Sequence, residues 1–310
     1  MRLYKYLKIL SNKTIKKIFN QMSDGFEPYS TYWSKKETIT AGDRGNFNIY
    51  STDDDTPFVL LCIHGAGHSG LSFSLLAEKL KGLIQVYAPD LKCHGETPGD
   101  PAKDLSINEL SEDVVAIANT ILPEGKKLFL MGHSLGGSIA TYAAYKLKPA
   151  GLLVLDTIEG IAIAAMPGMR HIVTSRPQTF KTAREAVRFV ATSGEMMNEV
   201  SSKVSTQGRV ALNADGKYAW ITNLLPSEPY WIEWFKGFAD KFVKAPSYKI
   251  LILPNIDRLD TPFTIAHMQG KFQLEIVHGT NHCMHEDRPD CIADIVKNFL
   301  ERLTAVPFWK

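Results

Sequence analysis

The chain has 310 residues, 45% hydrophobic and 22% charged, enough apolar content for one sizeable core with an insertion. A formal net charge of +2 is too small to point to nucleic acid or an acidic polymer as partner. The four cysteines are scattered without the spacing that zinc or redox chemistry needs, and no apolar run approaches the roughly 20 residues of a membrane-spanning helix.

Along the chain, residues 1–22 carry six basic residues and no acidic one, and lack the continuous apolar stretch of a signal peptide. They read as a basic, disordered tail ahead of a domain spanning 23–310, in a protein expected in the cytoplasm or nucleus. Short, continuous, β-branched runs predict strands at 46–51, 58–63, 85–89, 127–131, 151–155, 248–253 and 272–277, the pattern of parallel strands buried on both faces. Helical periodicity lies between several of them. Ser106 and Glu109 form a capping-box signature ahead of Ile107, Leu110, Val114, Ala118 and Ile121. Pro289 opens the last helical pattern, in which Ile292, Ile295, Val296, Phe299, Leu300 and Leu303 share a face.

Alternating strands and helices predict an α/β fold with a mostly parallel central sheet and helices on both faces. Residues 157–245 interrupt the alternation, with few strand signals, and read as a helical cap inserted over the carboxyl edge of the sheet, where open α/β folds bind ligands. Within it Trp231, Trp234, Phe235, Phe238 and Phe242 follow helical spacing, the pattern of a helix packed on the domain.

The chemistry concentrates in Gly132-His133-Ser134-Leu135-Gly136, a G-x-S-x-G pentapeptide between the run "KLFLM" and the helical "GSIATYAAYKL". Small residues on both flanks permit a strained strand-to-helix turn that exposes a serine, so Ser134 is the candidate nucleophile. His282, after the last predicted strand, is placed to be its base, and His285 to brace the loop. The acid that orients the base is open between Asp156 and Asp257, each ending a strand. Fold rules alone lean to Asp257, leaving the other to shape the pocket floor. The glycine-rich stretch from His64-Gly65 supplies backbone donors for an oxyanion: the N–H of Ala66, with Gly67 as the alternative, together with that of Leu135. His64 and His68 have no carboxylate or cysteine at ligand spacing, so no metal is expected, and a serine nucleophile with its own base needs no cofactor.

Taken together, "HGAGHSGLSF" at 64–73, "DLKCHGET" at 90–97, "GHSLGGSIA" at 132–140, "LDTIEG" at 155–160, "SRPQTFKT" at 175–182, "YWIEWFKGF" at 230–238, "DRLDTPFTIAHMQGKFQ" at 257–273 and "NHCMHEDRPD" at 281–290 resemble the protein phosphatase methylesterases. The HG, GHS and DxxxHG elements mark only the superfamily; the 175–182, 230–238 and 257–273 stretches carry the narrower likeness. The resemblance implies an α/β-hydrolase fold and a serine esterase that demethylates the carboxyl-terminal leucine of the protein phosphatase 2A catalytic subunit, which would be its partner. It also moves the acid from Asp257 to Asp156, the aspartate ending the strand after the nucleophile. Ala66 stands where the family tends to a third glycine, and Asn281 where a glycine usually precedes the base.

Overall fold

The computed structural model describes residues 25–305. The expected basic tail at 1–22 lies outside them. An eight-stranded sheet runs in the order β1-β2-β4-β3-β5-β6-β10-β11. Its strands are β1 (Lys35–Thr40), β2 (Asn46–Ser51), β3 (Phe58–Ile63), β4 (Gln85–Pro89), β5 (Lys127–His133), β6 (Gly151–Leu155), β10 (Tyr248–Leu253) and β11 (Gln273–Ile276). Only the pairings of β2 with β1 and β4 are antiparallel.

All seven predicted strands coincide with observed ones within two residues at either end: β5 runs on to His133, and the last is trimmed to Gln273–Ile276. β1 was not expected. Its sequence KKETIT is largely exposed at the sheet edge, so it lacks the apolar run that marks the others.

Successive strand residues point to opposite faces, which divides the interior into two cores. Val59, Leu61, Ile63, Leu130, Val154 and Leu251 join α2 (Ile107–Ile121) and α3 (Leu135–Leu147) on one face. Leu60, Cys62, Phe129, Met131, Leu153 and Ile252 join α1 (Ser74–Lys79) and the carboxyl-terminal helix (Pro289–Ala305) on the other. Each fully buried Leu or Ile contributes about 1.5–3 kcal/mol. That two-sided burial explains why these strands read as continuous apolar runs. At the start of α2, Ser106 Oγ accepts the Glu109 N–H at 3.2 Å as the capping box requires. The Glu109 carboxylate turns away to pair with Arg44 at 2.6 Å, so half of the box forms.

β6 and β10 are sheet neighbours, and the chain between them makes the 157–245 insertion. It contains α4 (Glu159–Ser175), α5 (Ala183–Thr192), α6 (Glu199–Gln207) and α7 (Phe238–Lys244). It also contains a three-stranded antiparallel sheet of β7 (Thr179–Phe180), β9 (Tyr218–Trp220) and β8 (Val210–Leu212), which corrects the purely helical expectation. Strands of two or three residues are too short to show a period of two. The aromatic series is likewise only partly helical: Trp231, Trp234 and Phe235 sit in turns, and α7 begins at Phe238. All five rings are buried in the core with α3, and Trp234 Nε1 donates to Leu105 O at 2.7 Å, a packing role.

Candidate active site

Ser134 lies between β5 and α3 with φ 54° and ψ −122°, a conformation that costs a non-glycine residue on the order of 1–3 kcal/mol. Close packing holds it there. A Cβ at Gly132 would fall 2.0 Å from Gly136 O, and one at Gly136 would fall 2.1 Å from Ile63 O. Neither position admits a side chain. Hydrogen bonds tie the turn to the end of β6: Ser134 N–H donates to Leu155 O at 3.0 Å, and Thr157 Oγ1 donates to Ser134 O at 2.8 Å.

The residue after β6, Asp156, also has a positive φ, 46°. Its buried carboxylate accepts from His282 Nδ1 at 2.7 Å. A carboxylate only accepts, so Nδ1 carries a proton, and in the neutral imidazole it is Nε2 that has the free lone pair. Asp257 does not take this place. It is exposed in a short 3₁₀ turn after β10, which corrects the reading from fold rules. The next residue, Arg258, was missed from the sequence: its Nη1 contacts both Asp156 oxygens, at 2.6 and 2.5 Å. The clue was a cation adjacent to the rival acid in "DRLD", but no local pattern says where that cation reaches.

His282 is also held through its backbone. Its carbonyl accepts from Nε2 of the fully buried His133 at 2.9 Å, and Asn281 N–H donates to Asp287 Oδ2 at 2.9 Å. Burial, with His282 and His285 as neighbours, keeps the His133 imidazole well below its ordinary pKa, hence neutral. His285, expected to brace the loop, is buried and stacked on Phe73 with ring centroids 4.6 Å apart.

The glycine-rich turn after β3 passes directly under the serine: a Cβ at Gly65 would lie 3.2 Å from Ser134 Cβ. His64, fully buried, accepts the Leu91 N–H on Nε2 at 3.0 Å and donates from Nδ1 to Gly65 O at 2.8 Å. Gly67 N–H is consumed by His94 Nε2 at 2.9 Å. Of the two donors weighed from the sequence, Ala66 is therefore the one left for a ligand. Leu135 is the first residue of α3, where the N–H has no intrahelical acceptor.

Ligand atoms of His68, Glu195 and Cys283 converge within 4.8 Å of one another. Arg209 already pairs with Glu195 at 3.0 Å and supplies the positive charge a cation would bring, so the set fits an ion-pair cluster better than a metal site. A depression of about 760 Å³, lined by Leu122, Lys148 and Tyr248, lies at the amino ends of the strands and holds none of these residues.

A model of the Alpha/beta hydrolase family matches residues 60–295. Protein phosphatase methylesterase 1 of Schizosaccharomyces pombe is 34% identical over 301 residues, covering 93% of this chain and 88% of the relative. The Homo sapiens protein of the same name is 31% identical over 326 residues, covering 89% and 84%. The chain belongs to the protein phosphatase methylesterase family. Its fold is shared with E-2-(acetamidomethylene)succinate hydrolase at TM-score 0.74 and 16% identity, covering 86% of this chain and 99% of that one. An esterase of Mycobacterium tuberculosis aligns at TM-score 0.68 and 18% identity, covering 92% and 97%. This methylesterase-family chain is thus a hydrolase of esterase type. Among its described residues, no helix is long and apolar enough to cross a membrane.

Proposed function

We propose that the chain is a serine carboxylesterase that demethylates the carboxyl-terminal leucine methyl ester of the protein phosphatase 2A catalytic subunit, with Ser134, His282 and Asp156 as its triad. The observation that carries the reading is the 2.7 Å contact of His282 Nδ1 with Asp156, beside a serine held at positive φ. The names of the relatives point to a protein phosphatase as substrate.

His282 Nε2 takes the proton of Ser134 Oγ, which attacks the ester carbonyl. The N–H groups of Ala66 and Leu135 bind the tetrahedral oxyanion. His282 passes its proton to the methoxy oxygen and methanol leaves. It then deprotonates a water that attacks the acyl-enzyme, and the Ser134 hydroxyl and a leucine carboxylate are released. Asp156 stabilises the imidazolium in both steps, and Arg258, in contact with both Asp156 oxygens, keeps the carboxylate aimed.

A protein substrate suits the surface beside the site. α4, which starts three residues after Asp156, buries only Val173 and leaves Ile161 and Ile172 40% and 63% exposed, apolar area available to a protein partner. The deciding assay compares methylated phosphatase catalytic subunit with a short peptide carrying the same leucine methyl ester. Far higher kcat/KM on the protein is expected, with binding retained by Ser134→Ala. Equal efficiency, or no stable binding, would favour a small-ester hydrolase.

A further inference from the structure

Glu195 belongs to the insertion, in the turn between α5 and α6, yet it touches both loops that flank the serine. Its Oε1 lies 2.7 Å from His68 Nε2, two residues beyond Ala66. Its backbone carbonyl accepts the N–H of Cys283, the residue after His282, at 3.3 Å. Its second oxygen accepts from Arg209 Nη2 at 3.0 Å. One residue therefore spans the turn that presents the oxyanion donor and the loop that presents the base. Those segments leave β3 and β11, which are far apart in the sheet, so strand pairing does not set their spacing.

The surroundings are buried and charge-balanced. Glu286, fully buried, approaches His68 Nδ1 at 3.6 Å. Arg209 lies over the Trp220 ring at 5.6 Å, and Arg176 lies over the same ring at 4.1 Å. Burial opposes charge on Glu195, but Arg209 and His68 outweigh it and hold the carboxyl well below its ordinary pKa. Burial and Arg209 oppose charge on His68, but Glu195 and Glu286 prevail and raise it. Asp287, close by, accepts from Met197 N–H at 2.5 Å and Asn281 N–H at 2.9 Å, a second link between the insertion and the base loop. Buried ion pairs add little net stability, since desolvation costs several kcal/mol per ion. What this cluster supplies is a defined distance.

We propose that Glu195 is a positioning residue for the hydrolysis, fixing the spacing of the oxyanion turn and the His282 loop through its carboxylate and its carbonyl. The insertion then forms part of the frame of the site as well as its cover. This rests on the serine-esterase reading above.

The test is Glu195→Gln in the full chain, assayed on p-nitrophenyl acetate with active sites titrated by a fluorophosphonate. Misplacing a catalytic group by a fraction of an ångström predicts kcat per titrated site about tenfold lower or more, with KM within about twofold. His68→Leu, which removes the partner of Glu195 on the oxyanion turn and leaves Glu195 on Arg209, should show the same split. It decides the matter if the first variant does not fold. A merely structural role predicts a lower melting temperature with kcat per site unchanged, and that result overturns the assignment. A wild-type chain inert to both ester and probe overturns the serine-esterase reading and this assignment with it.

Discussion

The turn carrying Ser134 and the loop carrying His282 meet at one sheet edge but are built by opposite means. The serine turn is set by backbone sterics: a Cβ at Gly132 would meet Gly136 O within the turn, one at Gly136 would meet Ile63 O of the neighbouring strand, and hydrogen bonds to Leu155 and Thr157 hold a strained φ. The histidine loop is set mostly by groups arriving from elsewhere in the chain, with Asp287 at its own end. Asp156 takes its ring, His133 its carbonyl, and Asp287 and Glu195 the backbone on either side. Steric constraint leaves a local signature in sequence, whereas convergence of distant side chains does not.

The comparison breaks at its root if the serine is not the reacting group. Ser134→Ala should lower kcat by on the order of 10⁶-fold, as loss of a hydrolase nucleophile does. Near-normal turnover on a chromogenic ester would remove the serine turn from the chemistry. On the histidine side, Asp156→Asn should cost on the order of 10⁴-fold in kcat. Asp257→Asn, at an exposed turn, should stay within about twofold; a larger loss at 257 than at 156 would reverse the assignment.

The steric half is tested by Gly136→Ala, whose methyl would press on the Ile63 carbonyl. Destabilisation of about 4 kcal/mol or more is expected in urea unfolding, and a change under about 1 kcal/mol would show that the turn can yield. A serine turn rebuilt with room for a side chain would no longer contrast with its partner loop.

pH sharpens the contrast between uncharged and charged supports. Burial lowers His94 from 6.5 to about 4 and holds His64, His133 and His285 well below their ordinary value. A base kept neutral in the fold protonates more readily once unfolded, so this stability is complete above pH 6.5 and is lost as pH falls toward 4. Asp90 opposes it. Burial raises its carboxyl from 3.8 to about 6, so its contribution is present below 3.8 and lost as pH rises through 6. His94 alone contributes on the order of 3 kcal/mol. Asp113, Glu286 and His68, also raised, act with Asp90, but the four deeply lowered imidazoles outweigh them and predict a melting temperature that falls from pH 7 to pH 4.5; a flat or rising curve would mean the imidazoles are already charged.

The smallest expected effect is at Arg258. Arg258→Met leaves Asp156 held by its hydrogen bond with His282 and should lower kcat about tenfold while KM holds, because the carboxylate is still present but less constrained. An unchanged kcat would show that His282 alone aligns the acid.

Several features were settled by the amino-acid sequence itself. Two-sided strands declared themselves as apolar runs because each strand feeds two cores, and the serine turn because only small residues survive beside it. The cap of α2 was visible at Ser106, since its hydroxyl answers an N–H three residues on. Which aspartate meets His282 was left divided by residue order, since both candidates end strands, and the family likeness pointed to Asp156. The reach of Arg258 and the bridge from Glu195 had no sequence signature at all. These were decided only by tertiary structure. The preference for Ala66 over Gly67 gained its physical reason there too, since His94 claims the Gly67 N–H. A hydrogen bond between groups remote in the chain depends on where the intervening elements pack, and no periodicity or local steric rule records that.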